Sequence, residues 1–490
     1  MLENLLHQLQ YNPASPLLFN QGLFLFLFLC FIVVYHALEY KQTARLVFVT
    51  LFSYYFYYKS SGTYFWLLAL VTISDYLIAR AIHASKRHIL RKSFVTLSLF
   101  IDLGLLCYFK YTNFFAGMLA QIVGSHFQPL DIFLPIGISF FAFQSLSYTI
   151  DVYRGRIKPL SSLLDYAFYV SFFPQLVAGP IVRATDFIPQ IRRPISITSA
   201  MFGKGVFLIM AGLFKKAVIS DYISINFVDR IFDNPQLYSG FENLLGAYGY
   251  TLQIYCDFSG YSDMAIGLAL LLGFHFPTNF NAPFLSDSVS DFWRRWHISL
   301  STWIRDYIYI PLGGNRKGKK RTYINLVITM LLAGLWHGAS LNFILWGGLH
   351  GIAQVIHKWW RTDVMHHDRN YQSHGVRHVL ACILTFHFIV FTFIFFRNTS
   401  FAESCEMIGR IFSDFHFSNI IPVLQGYRLV LSVILLGYMV HFIPNIWQEA
   451  CIKRLHLNQV WVGVLTLSVM IYIVAQVKSS EVLPFIYFQF

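Results

Sequence analysis

The run from Leu17 to Leu38 contains no Asp, Glu, Lys or Arg, and it is the first of a series. Further apolar runs lie near 45–58, 64–81, 93–111, 132–153, 379–396, 428–444 and 460–477. With the central segments they make roughly eleven, many long enough for a hydrocarbon core about 30 Å thick. In lipid every backbone N–H and C=O must be satisfied internally, so such runs fold as helices. A soluble chain has about a quarter of its residues charged. This one has 490 residues, 56% hydrophobic and only 12% charged. The expected fold is an all-α polytopic membrane protein, one domain over 1–490 with N-terminal helices at 17–160, a core at 161–360 and C-terminal helices at 361–490.

The net charge of +13 would suggest nucleic acid in a soluble protein. Here most basic residues sit in short loops between apolar runs, as the positive-inside tendency requires, and nucleic-acid binding is set aside. Lys41 and Arg45 follow the first run, Lys59 alone follows the second, and Arg80, Lys86, Arg87, Arg91 and Lys92 cluster further on. This alternation places the N-terminus outside. The first sixteen residues contain Glu3 and no Lys or Arg, so they lack the basic start of a signal peptide. Six scattered cysteines without a C-x-x-C indicate neither a disulfide framework nor a zinc site. Four histidines in the polar loop 361–378 lack tight ligand spacing, and no metal site is expected there.

Several segments are not simple spans. LLDYAFYVSFFPQLVAGPIVR is broken by Pro174 and by Ala178-Gly179-Pro180, with basic residues on both sides. A re-entrant or strongly kinked segment is expected, because broken helices are tolerated at membrane depth where protein or a cavity surrounds them. From Gly203 to Phe227 the apolar pattern is interrupted by Lys215 and Lys216, which suggests a helix lying on the membrane surface. Asp75 and Asp102 read first as a polar link between helices. In GAYGYTLQIYCDFSGYSDMAIGLALLLGF, Asp257 and Asp263 are balanced between helix packing and a role at a site, and the Gly and Ser residues permit close packing.

The centre of the chain, Asp291 to Gly351, carries the strongest chemical signal. A loop with five basic residues in six positions, Arg316 to Arg321, separates His297 from His337. A helix starting near Thr322 and rising about 1.5 Å per residue carries His337 roughly 20 Å inward. The next helix, from about Leu341 to Lys358, returns to basic residues. A helical hairpin follows, with Gly338, Ala339 and Ser340 at its turn and His337 near its tip. An ionisable residue at that depth is a functional hypothesis by default.

No nucleotide-phosphate loop, dinucleotide fingerprint, H-E-x-x-H or G-x-S-x-G is present, which removes ATP-driven transport and common hydrolase chemistry. Neutral imidazole is suited to taking a proton near neutral pH, as a hydroxyl attacking a thioester requires. Gly338 would let a substrate approach the backbone. His297 either acts in catalysis or supports a phosphate-binding surface of Arg294, Arg295 and Arg305. Trp336, Asn342 or a backbone N–H could stabilise an oxyanion. His350 on the returning arm is a secondary candidate, read first as a packing histidine.

FWRRWHISLSTWIRDYIYIPLGGNRKG, followed by GLWHGASLNFILWGGLHG, closely resembles the membrane-bound O-acyltransferase family in its alginate O-acetyltransferase branch. FLPIGISFFAFQSLSYTIDVYRG, FFPQLVAGPIVR and YCDFSGYSDMAIGLALLLGF resemble the same branch, so the likeness spans most of the chain. It implies helices around a tunnel, His337 of the WHG motif as the principal catalytic residue, and His297 as a second functional residue. It further implies an acetyl group passed from cytoplasmic acetyl-CoA, with no bound cofactor, to the outer side of a bacterial inner membrane. There a partner of the SGNH-hydrolase type and the polysaccharide biosynthesis machinery would receive it. Two other classes stay open: a transporter or flippase for a lipid-linked saccharide, and a noncatalytic scaffold for an extracytoplasmic acetyltransferase.

Overall fold

The computed structural model describes residues 8–13, 15–368, 371, 373–455, 460–477 and 485–486, and among them all regular structure is helical. The expected all-α class holds. Among the described residues, three stretches are long and apolar enough to cross a membrane: Gln42–Ala84, His88–Ile122 and Gly375–Arg397. A fourth arises if Phe417–Gly426 and Arg428–His441, bent by 88°, form one span. The roughly eleven apolar segments counted from sequence are therefore not all matched by long apolar helices. One reason is breakage, and another is that several helices carry polar residues on protein-facing sides, as Ile138–Tyr153 does with buried Gln144, Ser145, Ser147, Thr149 and Asp151.

The chain divides into two compact units. One contains 1–210, 261–277 and 452–464, and the other 211–260, 278–451 and 465–490. The helix Gly240–Leu271 supplies residues to both. Its glycines pack as expected. In the first unit a methyl group on Gly267 would lie 2.7 Å from the Gly205 carbonyl oxygen, and in the second one on Gly260 would lie 2.8 Å from that of Gly212. Only a residue without Cβ permits such approach.

In the first unit, Asp75 accepts hydrogen bonds from Ser98 Oγ at 2.7 Å and from Ser145 Oγ. Asp75 and Asp102 are both buried, and Asp75 links three helices, in keeping with the polar-link reading. The run expected from Ile132 becomes helical only at Ile138, because Pro135 interrupts it and Gly137 adopts φ +78°. A side chain at Gly137 would collide with the Leu176 carbonyl at 2.7 Å.

The expected kinked segment is confirmed as broken. Helix Leu163–Ser171 starts at Ser162, whose hydroxyl accepts from Asp165 N at 3.3 Å, and it stops at Phe172. One turn follows at Phe173–Leu176, then 177–183 without helix, then Ala184–Ile191. Side chains meet the backbone groups the break exposes: Gln144 and Gln175 donate to the Tyr169 carbonyl at 2.8 and 2.6 Å, and Tyr169 Oη donates to that of Val182 at 3.1 Å. Arg192 grips Asp165 through two bonds of 2.9 and 2.6 Å. The segment's two ends are thus tied together.

The surface-lying helix expected around Lys215 and Lys216 is not what forms. Helix Ser199–Leu213 runs into a π-helical stretch, Phe214–Ser220, and Lys216 is only 3% exposed. Its ammonium lies 2.5 Å from Asp257 and 2.7 Å from Asp221. Paired carboxylates make burial of the lysine tolerable; Asp221 lies five residues on, while Asp257 is brought in from far along the chain. Asp257 also accepts from the backbone N of Ile486 at 2.8 Å.

Candidate active site

The central hairpin forms with the expected turn. Its outgoing arm is Gly318–His337 and its returning arm Leu341–Trp359. The arms approach so closely that methyl groups on Gly334 and Gly347 would overlap the carbonyl oxygens of Phe343 and Met330. At the base, Lys319 pairs with Asp363, Tyr323 Oη donates to the same carboxylate at 3.3 Å, and Lys358 Nζ donates to Asn315 Oδ1 at 3.1 Å. Residues 316–321 are exposed there. The arm of 20 residues places His337 a little under 30 Å from this basic end, at about 1.5 Å per residue.

His337 is 1% exposed and boxed by aromatic rings. Trp336, Trp346 and Phe396 lie 4.9, 5.1 and 5.2 Å from it between centroids, each edge-to-face. Trp336 also meets His297, at 6.0 Å. The two histidines singled out in the sequence thus flank one indole. They form a single cluster although a loop and a helix separate them along the chain.

His297 is fully buried and has φ +43°, ψ +56°, a left-handed conformation that is costly for a residue with a Cβ. Such strain persists only where surrounding contacts fix it, and it concentrates at functional sites. Asn279 does the fixing. Its Oδ1 accepts from Ser299 N at 3.2 Å and Ser299 Oγ at 2.9 Å, and lies 3.2 Å from His297 Nδ1. An oxygen accepts only, so His297 Nδ1 carries the proton and Nε2 is the nitrogen able to accept another. Phe258 packs edge-to-face on His297 at 4.6 Å and touches Phe485 at 5.4 Å.

The other sequence candidates fall differently. Both amide hydrogens of Asn342 are engaged, with the Asn398 carbonyl at 2.8 Å and Ser404 Oγ at 3.3 Å, so its amide does not serve an oxyanion. Gly338 does not open the backbone to a substrate: the Phe343 ring occupies the space where its Cβ would stand. His350 is buried and held at both nitrogens. Trp293 Nε1 donates to its Nδ1 at 3.2 Å, so its Nε2–H donates to Thr392 Oγ1 at 3.1 Å. Arg294 and Arg295 share Asp291, at 3.6 and 2.7 Å, while Arg305 pairs with Asp306 at 2.7 Å. The three arginines are held by two separate carboxylates.

Asn279, Phe258, Trp346 and Phe396 were not singled out from sequence. Nothing in FPTNFNAPF marks Asn279. Trp346 did leave a signal, since Asn342, Trp346 and His350 recur every fourth residue and so share one helix face.

A helical membrane protein with two buried histidines around an indole, one at a hairpin tip, defines the class. Residues 16–402 match the model of the membrane-bound O-acyltransferase family, and the chain belongs to that family and is an acyltransferase. It is 39% identical to a protein of Azotobacter vinelandii named "Probable alginate O-acetylase AlgI", over 88% of this chain and 85% of that one. A Pseudomonas putida protein of the same name is 36% identical over 97% of this chain and all of its own length. A "Peptidoglycan O-acetyltransferase" of Helicobacter pylori is 36% identical, covering 80% of this chain and 79% of its own.

Proposed function

We propose that this protein moves an acetyl group from a cytoplasmic thioester, acetyl-CoA, through the membrane for O-acetylation of an extracytoplasmic polysaccharide. The observation that carries the reading is the position of His337: buried among aromatic rings at the tip of a hairpin whose other end is strongly basic. Relatives named for alginate and peptidoglycan O-acetylation support the polymer class. The exposed cations of 316–321 suit the phosphates of the donor.

The transfer is direct, within a tunnel that donor and acceptor enter from opposite sides. His337 takes the proton of the acceptor hydroxyl as its oxygen attacks the thioester carbonyl carbon. The C–S bond then breaks, and the thiolate leaves with the proton returned by the imidazolium. His297, with Nδ1 held by Asn279, is the second functional residue of the same cluster. The protein resides in a bacterial inner membrane with its N-terminus outside, and an SGNH-hydrolase-type partner completes delivery to the polymer.

Transfer from labelled acetyl-CoA is the test, in membranes holding wild type, His337→Ala or His297→Ala at matched expression with the partner present. Loss in folded His337→Ala supports the proposal. Acetylation preserved with polymer export blocked would favour a saccharide transporter. Full retention of both with intact assembly would favour a noncatalytic scaffold.

A further inference from the structure

The face of the returning arm that carries Asn342, Trp346 and His350 meets the helix Gly375–Arg397 and the residues just after it. Every side-chain N–H donor of its two outer members is engaged. Asn342 bonds Asn398 and Ser404, and His350 bonds Thr392 and Trp293. The middle member differs. Trp346 is 1% exposed, and its indole Nε1–H is buried without an acceptor. An indole N–H can only donate, and a buried one usually finds a partner. Leaving a buried donor unsatisfied is costly, and the fold has left this one so although it engages the N–H donors of both neighbours four residues away.

The ring that bears this donor is clamped in place. Trp346 packs at 4.7 Å on His350, at 5.6 Å on Trp293 and at 5.0 Å on Phe396. His350 is itself pinned by hydrogen bonds at both nitrogens. The same indole stands edge-to-face on His337 at 5.1 Å and 87°. A fixed donor beside a base is the arrangement that acyl transfer needs for its developing oxyanion, because the dipole is oriented before charge appears.

We infer that Trp346 Nε1–H donates to the acyl carbonyl oxygen of the donor during transfer. This rests on the acyl-transfer reading above and names the group that stabilises its charged intermediate. As the acceptor oxygen bonds to the carbonyl carbon, the C=O π electrons move to oxygen, and the indole N–H shortens its bond to that oxygen. When the C–S bond breaks, the carbonyl re-forms and the bond relaxes. Trp346 gains and loses no proton.

The experiment compares wild type, Trp346→Phe and His337→Ala in proteoliposomes with labelled acetyl-CoA and the partner acetyltransferase. Thermal stability of each protein is measured in the same lipid. Phe keeps an aromatic ring and removes the donor. The expected result is a fall in kcat on the order of 100-fold, with KM for acetyl-CoA and the melting temperature close to wild type. Because Phe is smaller, a second variant carries β-(3-benzothienyl)alanine at 346, which keeps the bicyclic shape and replaces N–H by sulfur. It is expected to show the same fall. Undiminished kcat in either folded variant overturns the inference. So does a fall in Trp346→Phe that the shape-preserving variant does not share, since packing alone then explains it. If His337→Ala retains full transfer, the acyl-transfer reading itself fails. Loss in His337→Ala with normal Trp346 variants removes only the role of the indole.

Discussion

Two buried polar clusters of the second unit contrast in how their groups are satisfied. Around Lys216, every charge has an opposite charge beside it: the ammonium sits between Asp257 and Asp221, and Asp257 also receives a backbone N–H. Around His337, rings enclose the imidazole and a neighbouring indole N–H has no acceptor. The first cluster is closed on itself, so its worth lies in folding. The second keeps a donor in reserve, so its worth lies in what it meets.

Substitutions can break or sharpen that contrast. The largest effect is expected from His337→Ala, which removes the proposed base: acetyl transfer falls about 10²–10⁴-fold, as for a lost general base, with little change in thermal stability. Radiolabel transfer and a melting curve on one preparation check both halves. A melting temperature that fell as far as for Lys216→Met would erase the distinction between the clusters.

Lys216→Met should show the reverse. It leaves Asp257 and Asp221 buried without their cation, a loss of about 3–5 kcal/mol, read as a lower melting temperature and reduced yield. Combining it with Asp257→Leu and Asp221→Asn restores much of that stability. No recovery in the combined variant would mean that the cluster does more than neutralise itself.

A smaller effect is expected at Asn279, which sets the tautomer of His297. Asn279→Ala lowers transfer about 10-fold, by analogy with the outer-shell partners that orient metal-bound histidines, and Asn279→Asp recovers part of it because an accepting oxygen is restored. Equal activity in all three forms would detach the orientation of His297 from the reaction. The smallest effect belongs to the base of the hairpin. Lys319 is largely exposed in its pair with Asp363, and exposed pairs contribute little. Lys319→Gln should leave the melting temperature unchanged in high salt, which differential scanning fluorimetry reads directly.

The sequence made much of the site legible. His337, the hairpin and its turn at 338–340 follow from one apolar run after a basic loop, one histidine and one return to basic residues, all local signals. The broken segment at 163–193 was announced by Pro174 and Ala178-Gly179-Pro180. Lys216 was misread because a lysine in an apolar run looks like a surface residue until carboxylates are shown beside it: Asp257 is far along the chain, and Asp221, five residues on, reaches it through the π-helical turn. Gly338 was misread for a related reason: what fills the space of an absent side chain is decided by a neighbour, here Phe343.

By itself, then, the chain determined its helical class, its membrane setting, its family and the histidine at the hairpin tip, because these depend on residue type and spacing along one strand of backbone. Only the tertiary structure decided that His297 and His337 flank the same indole, that Asn279 sets the tautomer of the first, and that the N–H donors of Asn342 and His350 find acceptors while that of Trp346 does not. Hydrogen bonds and ring contacts are made through space, between residues whose separation in sequence carries no record of them.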